Sequence, residues 1–407
     1  MSVGGEHAER LRTAFFRAFF PLLLAAIALA EWAVVARLLA RLGVPVPWPV
    51  HVLAPPAVWL ANRGIASRLR TTAARPAWIR VYTAFAFTSV FCGVVLLFAT
   101  VLWAAIRVGT LPVEAVQSGL IDVGRLARHF DAAVDGLLLG IVALFTGGYT
   151  VGQRRLSVTR LRVPVRGLPS ELAGFRIVHL SDIHIGQHLG RKELAAHVAR
   201  VNALGPDLVC ITGDLVDRVD GCAIGFPVLA ELRARHGVVA TLGNHDHAAG
   251  ADAVAAALAA HTPFTVLRDG RTEIALGEAR LAIVGLDDLG RDWARGVPEH
   301  PALDALAAEV PPGATFLVLT HRPDCFPHAA RRHAHLVLAG HTHGGQIGLP
   351  ALGRRVRNLA EFITAYDRGV FRERDTTLVV SRGLGFTGQR IRLFTSREIG
   401  VLELQPA

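Results

Sequence analysis

The sequence predicts an α/β domain of layered strands and helices, preceded by an all-α membrane region of about four helices. Its 407 residues are 52% hydrophobic with mean hydropathy +0.39, too apolar for a wholly soluble chain. Long uncharged stretches are confined to the first 155 residues. From residue 175 onward, short β-branched runs alternate with Ala/Leu/Arg stretches at helical spacing. Charged residues make up 19%, which excludes disorder over any large fraction. Cys92, Cys210, Cys222 and Cys325 form no C-x-x-C, which excludes a disulfide framework and a thiolate zinc module.

Taken in order, the first apolar stretch, 18–40, contains Glu31 and Arg37, each costly in lipid unless it pairs or reaches the interface. Ala28-Leu29-Ala30 resembles a signal-cleavage site, but further apolar residues follow at once, which favours an uncleaved span. The second, 42–61, carries Pro45, Pro47, Pro49, Pro55 and Pro56 and is the weakest candidate for a straight helix. The third, 81–106, has no charge between Arg80 and Arg107 and exceeds the roughly 20 residues that cross a hydrocarbon core. The fourth, 136–153, is close to the minimum length.

The formal charge of +10 invites a nucleic-acid reading. Residues 1–166, however, hold 18 Arg against 7 acidic residues, whereas residues 167–407 hold 25 Lys+Arg against 26. Arginines flanking apolar spans are topology signals, so no stable nucleic-acid partner is expected. Their distribution places both termini and the C-terminal domain on the cytoplasmic side of a multi-pass inner-membrane protein. The expected organisation is a helical membrane region over 1–155, a linker over 156–174 containing Pro164 and Pro169, and a domain over 175–407.

In that domain the strand candidates are 176–180, 208–212, 238–242, 281–285, 315–319, 336–339, 378–381 and 399–404, with helices at 191–204, 226–235 and 251–260. A polar cluster follows each of five strand candidates: Ser181-Asp182-Ile183-His184, Gly213-Asp214-Leu215-Val216-Asp217-Arg218, Gly243-Asn244-His245-Asp246, Thr320-His321, and Gly340-His341-Thr342-His343-Gly344-Gly345-Gln346. Ligands of layered α/β folds collect beyond the carboxyl ends of strands, so one shared pocket is the economical reading. Asp182/His184 and His341/His343 are i, i+2 pairs, whose side chains share a face in extended backbone. Carboxylate and imidazole donors without thiolates suit divalent Zn, Mn, Fe or Ni. Asp214 can bridge two ions, and Asn244 and His321 can complete the second.

The five motifs in this order resemble the calcineurin-like metallophosphoesterase superfamily over roughly residues 175–404. The GHTHGGQ ending and Ser381-Arg382-Gly383-Leu384-Gly385 are similar to the membrane-linked bacterial phosphodiesterases, some of which hydrolyse the pyrophosphate of UDP-2,3-diacylglucosamine. The resemblance implies a four-layer sandwich of two mixed β-sheets flanked by helices. It implies that Asp182, His184, Asp214 and His343 hold one divalent ion and that Asp214, Asn244, His321 and His341 hold another. A water between the two would attack phosphorus in line. His245 resembles the general acid and Asp217 the carboxylate that orients it. Arg218 and Gln346 are candidates for contact with the phosphate, and Asp246 for support of its loop. His179 reads as a core residue; His188, His247, His261, His328, His333 and His335 read as surface or supporting residues.

The expected function is therefore membrane-anchored hydrolysis of a phosphodiester or pyrophosphate in a lipid-linked or nucleotide-linked substrate. The alternatives are a phosphatase or nuclease for soluble substrates, and a non-catalytic metal-dependent membrane regulator. Arg354, Arg355 and Arg357, with Arg372, Arg374, Arg382, Arg390 and Arg392, form a late basic region that is either a solvated face or a contact with anionic headgroups.

Overall fold

The computed structural model describes residues 3–71, 76–117, 120–186, 188–289, 296–349 and 357–407. The chain forms two compact units, Met1–Thr146 and Gly147–Ala407. Four helices precede the sheets: α1 (Val3–Arg41), α2 (Trp48–Thr71), α3 (Ala77–Val116) and α4 (Val123–Thr150). Among the described residues three are long and apolar enough to cross a membrane, over Phe20–Arg41, Ala77–Pro112 and Val123–Arg154. The four helices match the expected all-α region of about four, three of them meeting the length and apolarity of a span. The weak candidate, 42–61, does become helical from Trp48, but Asn62, Arg63 and Arg68 cut its apolar stretch short.

Large apolar side chains such as Leu22, Val81, Leu97, Phe98 and Leu139 point outward, as lipid-facing helices require. The polar residues inside the apolar stretches find partners. Asn62 Nδ2 donates to Glu31 Oε2 at 2.6 Å and Tyr82 Oη donates to Asn62 Oδ1 at 2.7 Å. Arg37 and Arg41 meet Asp131 and Asp135 at 2.6–3.4 Å. A Cβ on Gly93 would lie 2.6 Å from that of Ala30, so small residues set the α1–α3 crossing.

The second unit contains β1 (Leu156–Val165), β2 (Arg176–Leu180), α5 (Arg191–Asn202), β3 (Leu208–Thr212), α6 (Asp220–Leu229), β4 (Val238–Thr241), α7 (Asn244–His261), β5 (Thr265–Val266), β6 (Gly270–Leu276) and β7 (Ala279–Gly285). It continues with α8 (Leu303–Ala308), β8 (Thr315–Leu319), α9 (Phe326–Arg331), β9 (Leu336–Ala339), β10 (Gly348–Leu349), β11 (Arg357–Asn358), β12 (Gly369–Glu373), β13 (Thr376–Val380) and β14 (Arg397–Pro406). One six-stranded sheet runs β1-β14-β2-β3-β4-β5 and the other β12-β13-β9-β8-β7-β6; both mix parallel and antiparallel pairs.

The burial pattern gives the layers. Along β3, Leu208 and Cys210 join Ile177, Ile283, Leu317 and Leu338 between the two sheets, while Val209 and Ile211 turn toward α5 and α6 with Leu194 and Phe226. Val318 and Val337 face α8 and α9 on the far side. Helix, sheet, sheet and helix make the four-layer sandwich.

Three boundaries differ from expectation. The segment expected as a linker supplies β1, whose ten residues pair with β14 in parallel at the sheet edge. Arg160, Arg162 and Pro164 hid it, because edge strands tolerate charge and proline. Helix α6 begins at Asp220, earlier than 226. Helix α7 begins at Asn244, so its first turn carries an expected site motif; the kink at Gly250 (φ 112°) breaks the periodicity that would have revealed it.

Candidate metal centre

The site is built where strands stop. Asp182 and His184 follow β2, Asp214 and Asp217 follow β3, Asn244 and His245 open α7 after β4, His321 follows β8, and His341 and His343 follow β9. Leaving a strand so abruptly strains the backbone. Asp182, His184, Asp214, His341 and His343 all adopt left-handed φ of 50–72°, a conformation that persists at functional sites when packing over-determines it. The neighbouring glycines permit close approach: a Cβ on Gly340 would lie 2.4 Å from Asp182 Oδ2, and one on Gly243 2.3 Å from Asp214 Oδ1.

Two donor groups result, each with its ligand atoms within 4.8 Å of one another: Asp182, His184 and His343, and Asp182, Asp214 and His321. A third, His184, Asp214 and His245, meets the same criterion. Asp214 Oδ2 lies 3.6 Å from His184 Nε2 and 3.2 Å from His321 Nε2 and so faces both sides.

The hydrogen bonds test whether divalent ions fit. His321 Nδ1 donates to the Thr212 carbonyl at 2.8 Å, fixing the ring. Its Nε2 then faces Asp214 Oδ2, Asn244 Oδ1 at 3.0 Å and His341 Nδ1 at 3.3 Å, which are acceptors or potential acceptors. That cluster needs positive charge at Nε2, supplied by a proton or by a cation. Burial pushes the His321 pKa down, but the carboxylates led by Asp214 outweigh it and lift it to about 10. His184 has the same character. Its Nδ1 meets Asp217 Oδ1 at 2.7 Å, its Nε2 lies 3.0 Å from His343 Nε2, and the nearby carboxylates overcome burial to raise its pKa to about 9. Asp214 is buried, yet His321 and the other imidazoles draw it well below the usual carboxylate range. Oxygen and imidazole donors in this arrangement fit divalent Mn, Fe, Zn or Ni.

Residues 175–345 match the family of calcineurin-like phosphoesterases. This part of the chain is a calcineurin-like phosphoesterase domain. The chain is 29% identical over 286 residues to an uncharacterized metallophosphoesterase, YkuE, of Bacillus subtilis (strain 168), an alignment covering 68% of this chain and 97% of that protein. It is 30% identical over 315 residues to a transmembrane protein with metallophosphoesterase domain from Danio rerio, covering 72% of this chain and 65% of the other. A protein of the same description from Bos taurus is 32% identical over 266 residues, with 62% and 57% covered. The chain thus spans less than two thirds of either vertebrate relative. The metallophosphoesterase domain is a phosphoester hydrolase, with its donor groups at the strand ends of the two-sheet fold.

The remaining expected site residues of the phosphoesterase domain divide by what they touch. Asp217 Oδ1 lies 3.1 Å from His245 Nδ1 as well as 2.7 Å from His184, so one carboxylate serves both rings. Burial would raise its pKa, but the two histidines pull it far below normal. His245 stands beside Asp214, Asn244, His341 and His343 in a cleft of about 200 Å³ that Ala360 and Ile363 also line. Gln346 also lines that cleft, but its amide is occupied: Nε2 donates to the carbonyls of Thr387 and Gln389, and Oε1 accepts from Thr387 N. Arg218 lies 3.4 Å from Asp220.

Asp246 accepts from the backbone of Leu215, Val216 and Gly243, tying two motif loops together. His247 bonds Asp287 at 2.8 Å, and the buried His179 bonds Thr212 Oγ1 at 2.8 Å. Of the late basic region, Arg354 and Arg355 lie outside the described residues. Arg382 pairs with Glu398 and Arg390 with Glu193, while Arg392 is buried. Sequence reasoning grouped Arg392 with surface charge; only its place after the apolar Ile391 and before Leu393 hinted at burial.

Proposed function

We propose that the protein is a membrane-anchored dinuclear metallophosphoesterase that hydrolyses a phosphodiester or pyrophosphate, with a lipid-linked substrate as the favoured class. The observation that carries this is Asp214, whose carboxylate faces both donor groups at the floor of a cleft that also holds His245. Asp182, His184, Asp214 and His343 would hold one ion and Asp214, Asn244, His321 and His341 the other. Two such ions neutralise charge developing on the phosphoryl oxygens and make a water nucleophilic near neutral pH.

The chain's own residues do the rest. Asp217 accepts from His245 Nδ1, which leaves Nε2 to carry a proton to the leaving oxygen. Because Asp217 also fixes His184, the acid and a ligand are aligned by one group. Lipid linkage is supported by the three candidate spans and by the apolar cleft wall at Ala360 and Ile363. The arginine distribution supports a cytoplasmic domain at an inner membrane.

The test uses full-length protein in detergent, chelated and then supplied stepwise with Mn, Zn, Fe or Ni. Turnover of a lipid pyrophosphate, bis-p-nitrophenyl phosphate, p-nitrophenyl phosphate and single-stranded DNA is followed at each step. Activity should return with two equivalents of metal and favour the lipid pyrophosphate and the diester. Full activity in metal-free protein would overturn the mechanism. Turnover confined to the monoester, or to DNA, would replace the lipid reading with a soluble-substrate one.

A further inference from the structure

Beside the first donor group lies a buried cation that no motif announced, Arg392, whose Nη2 is 3.5 Å from His343 Nδ1. Arg392 is 1% exposed, and among the described residues no carboxylate lies within ion-pair distance of it. Its Nη1 donates to the carbonyl of His343 at 2.7 Å, and its Nη2 donates to the carbonyl of Gly385 at 2.8 Å and approaches that of Gly383 at 3.4 Å. The 383–385 segment is bonded in turn to the other ligand loop, with Leu384 N donating to the Ser181 carbonyl at 2.9 Å and Gly385 N to that of Asp182 at 2.7 Å. One guanidinium therefore ties the loop carrying Asp182 and His184 to the loop carrying His343.

What holds Arg392 lies within the compact unit Gly147–Ala407, at the end of α4. Arg392 N donates to the Gly148 carbonyl at 3.4 Å. A Cβ on Gly152 would lie 1.9 Å from the Arg392 carbonyl oxygen, and one on Gly148 would lie 2.6 Å from Leu393 Cδ2 and 2.8 Å from Ile391 Cγ1. Neither glycine has a left-handed backbone, so close approach alone explains the missing side chains. The candidate span Val123–Arg154 thus ends as the seat of the segment that carries Arg392.

We propose that Arg392 is a positioning residue for the Asp182–His184–His343 metal site, and that the end of α4 fixes it, so that the exit of the last candidate span is mechanically part of that site. The inference rests on the metal reading above and adds to it a residue and a coupling outside the ligand motifs. Loss of an outer partner of a metal ligand typically weakens binding about 10–100-fold.

The experiment measures Co(II) affinity and visible absorption in folded, full-length protein carrying Arg392→Met, Arg392→Lys or Gly152→Ala. Arg392→Met should weaken one of two Co(II) sites by about 10–100-fold and alter its absorption, leaving the other intact. Lysine keeps the charge but cannot fork between two loops, so it should recover only part of the affinity. Gly152→Ala should shift the same site in the same direction, and it carries the test if Arg392→Met does not fold. A purely structural Arg392 would lower the melting temperature yet leave wild-type Co(II) affinity and absorption, and that result overturns the positioning role. Wild-type binding in Gly152→Ala overturns the seat. Wild-type protein that takes up no Co(II) overturns the metal reading together with this inference.

Discussion

The helical unit and the phosphoesterase domain both gather charged side chains, and they handle them in opposite ways. In the helical unit Arg37 and Arg41 meet Asp131 and Asp135, two cations against two anions, and Glu31 is bonded by the neutral Asn62. Such pairing lets ionisable side chains stay in an apolar bundle. At the strand ends of the domain, Asp182, Asp214 and Asp217 instead crowd against imidazoles whose nitrogens face acceptors, and His184 and His321 rise to about 9 and about 10 in response. Balanced charge fastens helices to one another. Unbalanced charge converging within 4.8 Å is a receptor for cations.

The contrast is broken most severely at Asp214, where one carboxylate faces both donor groups. Asp214→Asn keeps the shape and removes the charge. In the proposed mechanism each ion would contribute several kcal/mol of transition-state stabilisation, so kcat/KM for bis-p-nitrophenyl phosphate should fall roughly 10⁴-fold or more, with metal content falling in parallel. Retention of two ions and of activity would refute the shared-ligand assignment. A smaller and more selective loss is expected for His245→Ala. The proposed acid is needed only when the leaving oxygen is basic, so an alkyl ester should lose about 10²–10⁴-fold and a p-nitrophenyl ester much less, with metal content unchanged. Equal losses on both esters would remove His245 from proton transfer.

The domain's clustered donor side chains were legible in the sequence because candidate ligands at strand ends come as short, glycine-punctuated motifs whose spacing survives in three dimensions. Asp182/His184 and His341/His343 are near neighbours along the chain, and the structure brings both pairs together with Asp214, Asn244 and His321. The central strands were legible for a related reason: β2, β3 and β8 are buried on both faces and read as apolar runs. Strand β1 was not, since its pairing with β14 depends on residues 239 or more positions away and on tolerance of charge at a sheet edge. Arg392 was illegible for a deeper reason. A buried guanidinium whose two Nη atoms donate to backbone carbonyls leaves no complementary acid for the sequence to display. The double duty of Asp217, toward His184 and His245 together, is likewise a property of distance rather than of motif.

The domain also contains balanced charge of the kind seen in the helical unit, and it offers the gentlest way to sharpen the comparison. Glu193 at the start of α5 meets Arg397 at 2.6 Å and Arg390 at 2.7 Å. Burial alone would raise its pKa, but His197 and the two arginines outweigh burial and bring it to about 2. Arg397 is itself lowered by burial, and Glu193 and Arg390 are partly open to water, so much of the gain at Glu193 is offset. The sign follows from the depressed carboxylate. The unfolded chain takes up the proton near the ordinary glutamate value of 4.5, while the folded chain resists until about 2. The contribution is therefore complete above pH 4.5 and lost as pH falls toward 2. Denaturation of wild type and Glu193→Gln, compared at neutral pH and again near pH 3, should show a stability gap that is largest at neutrality and narrows with acid. A gap independent of pH would mean that Glu193 acts through packing, and the parallel with the paired charges of the helices would fail.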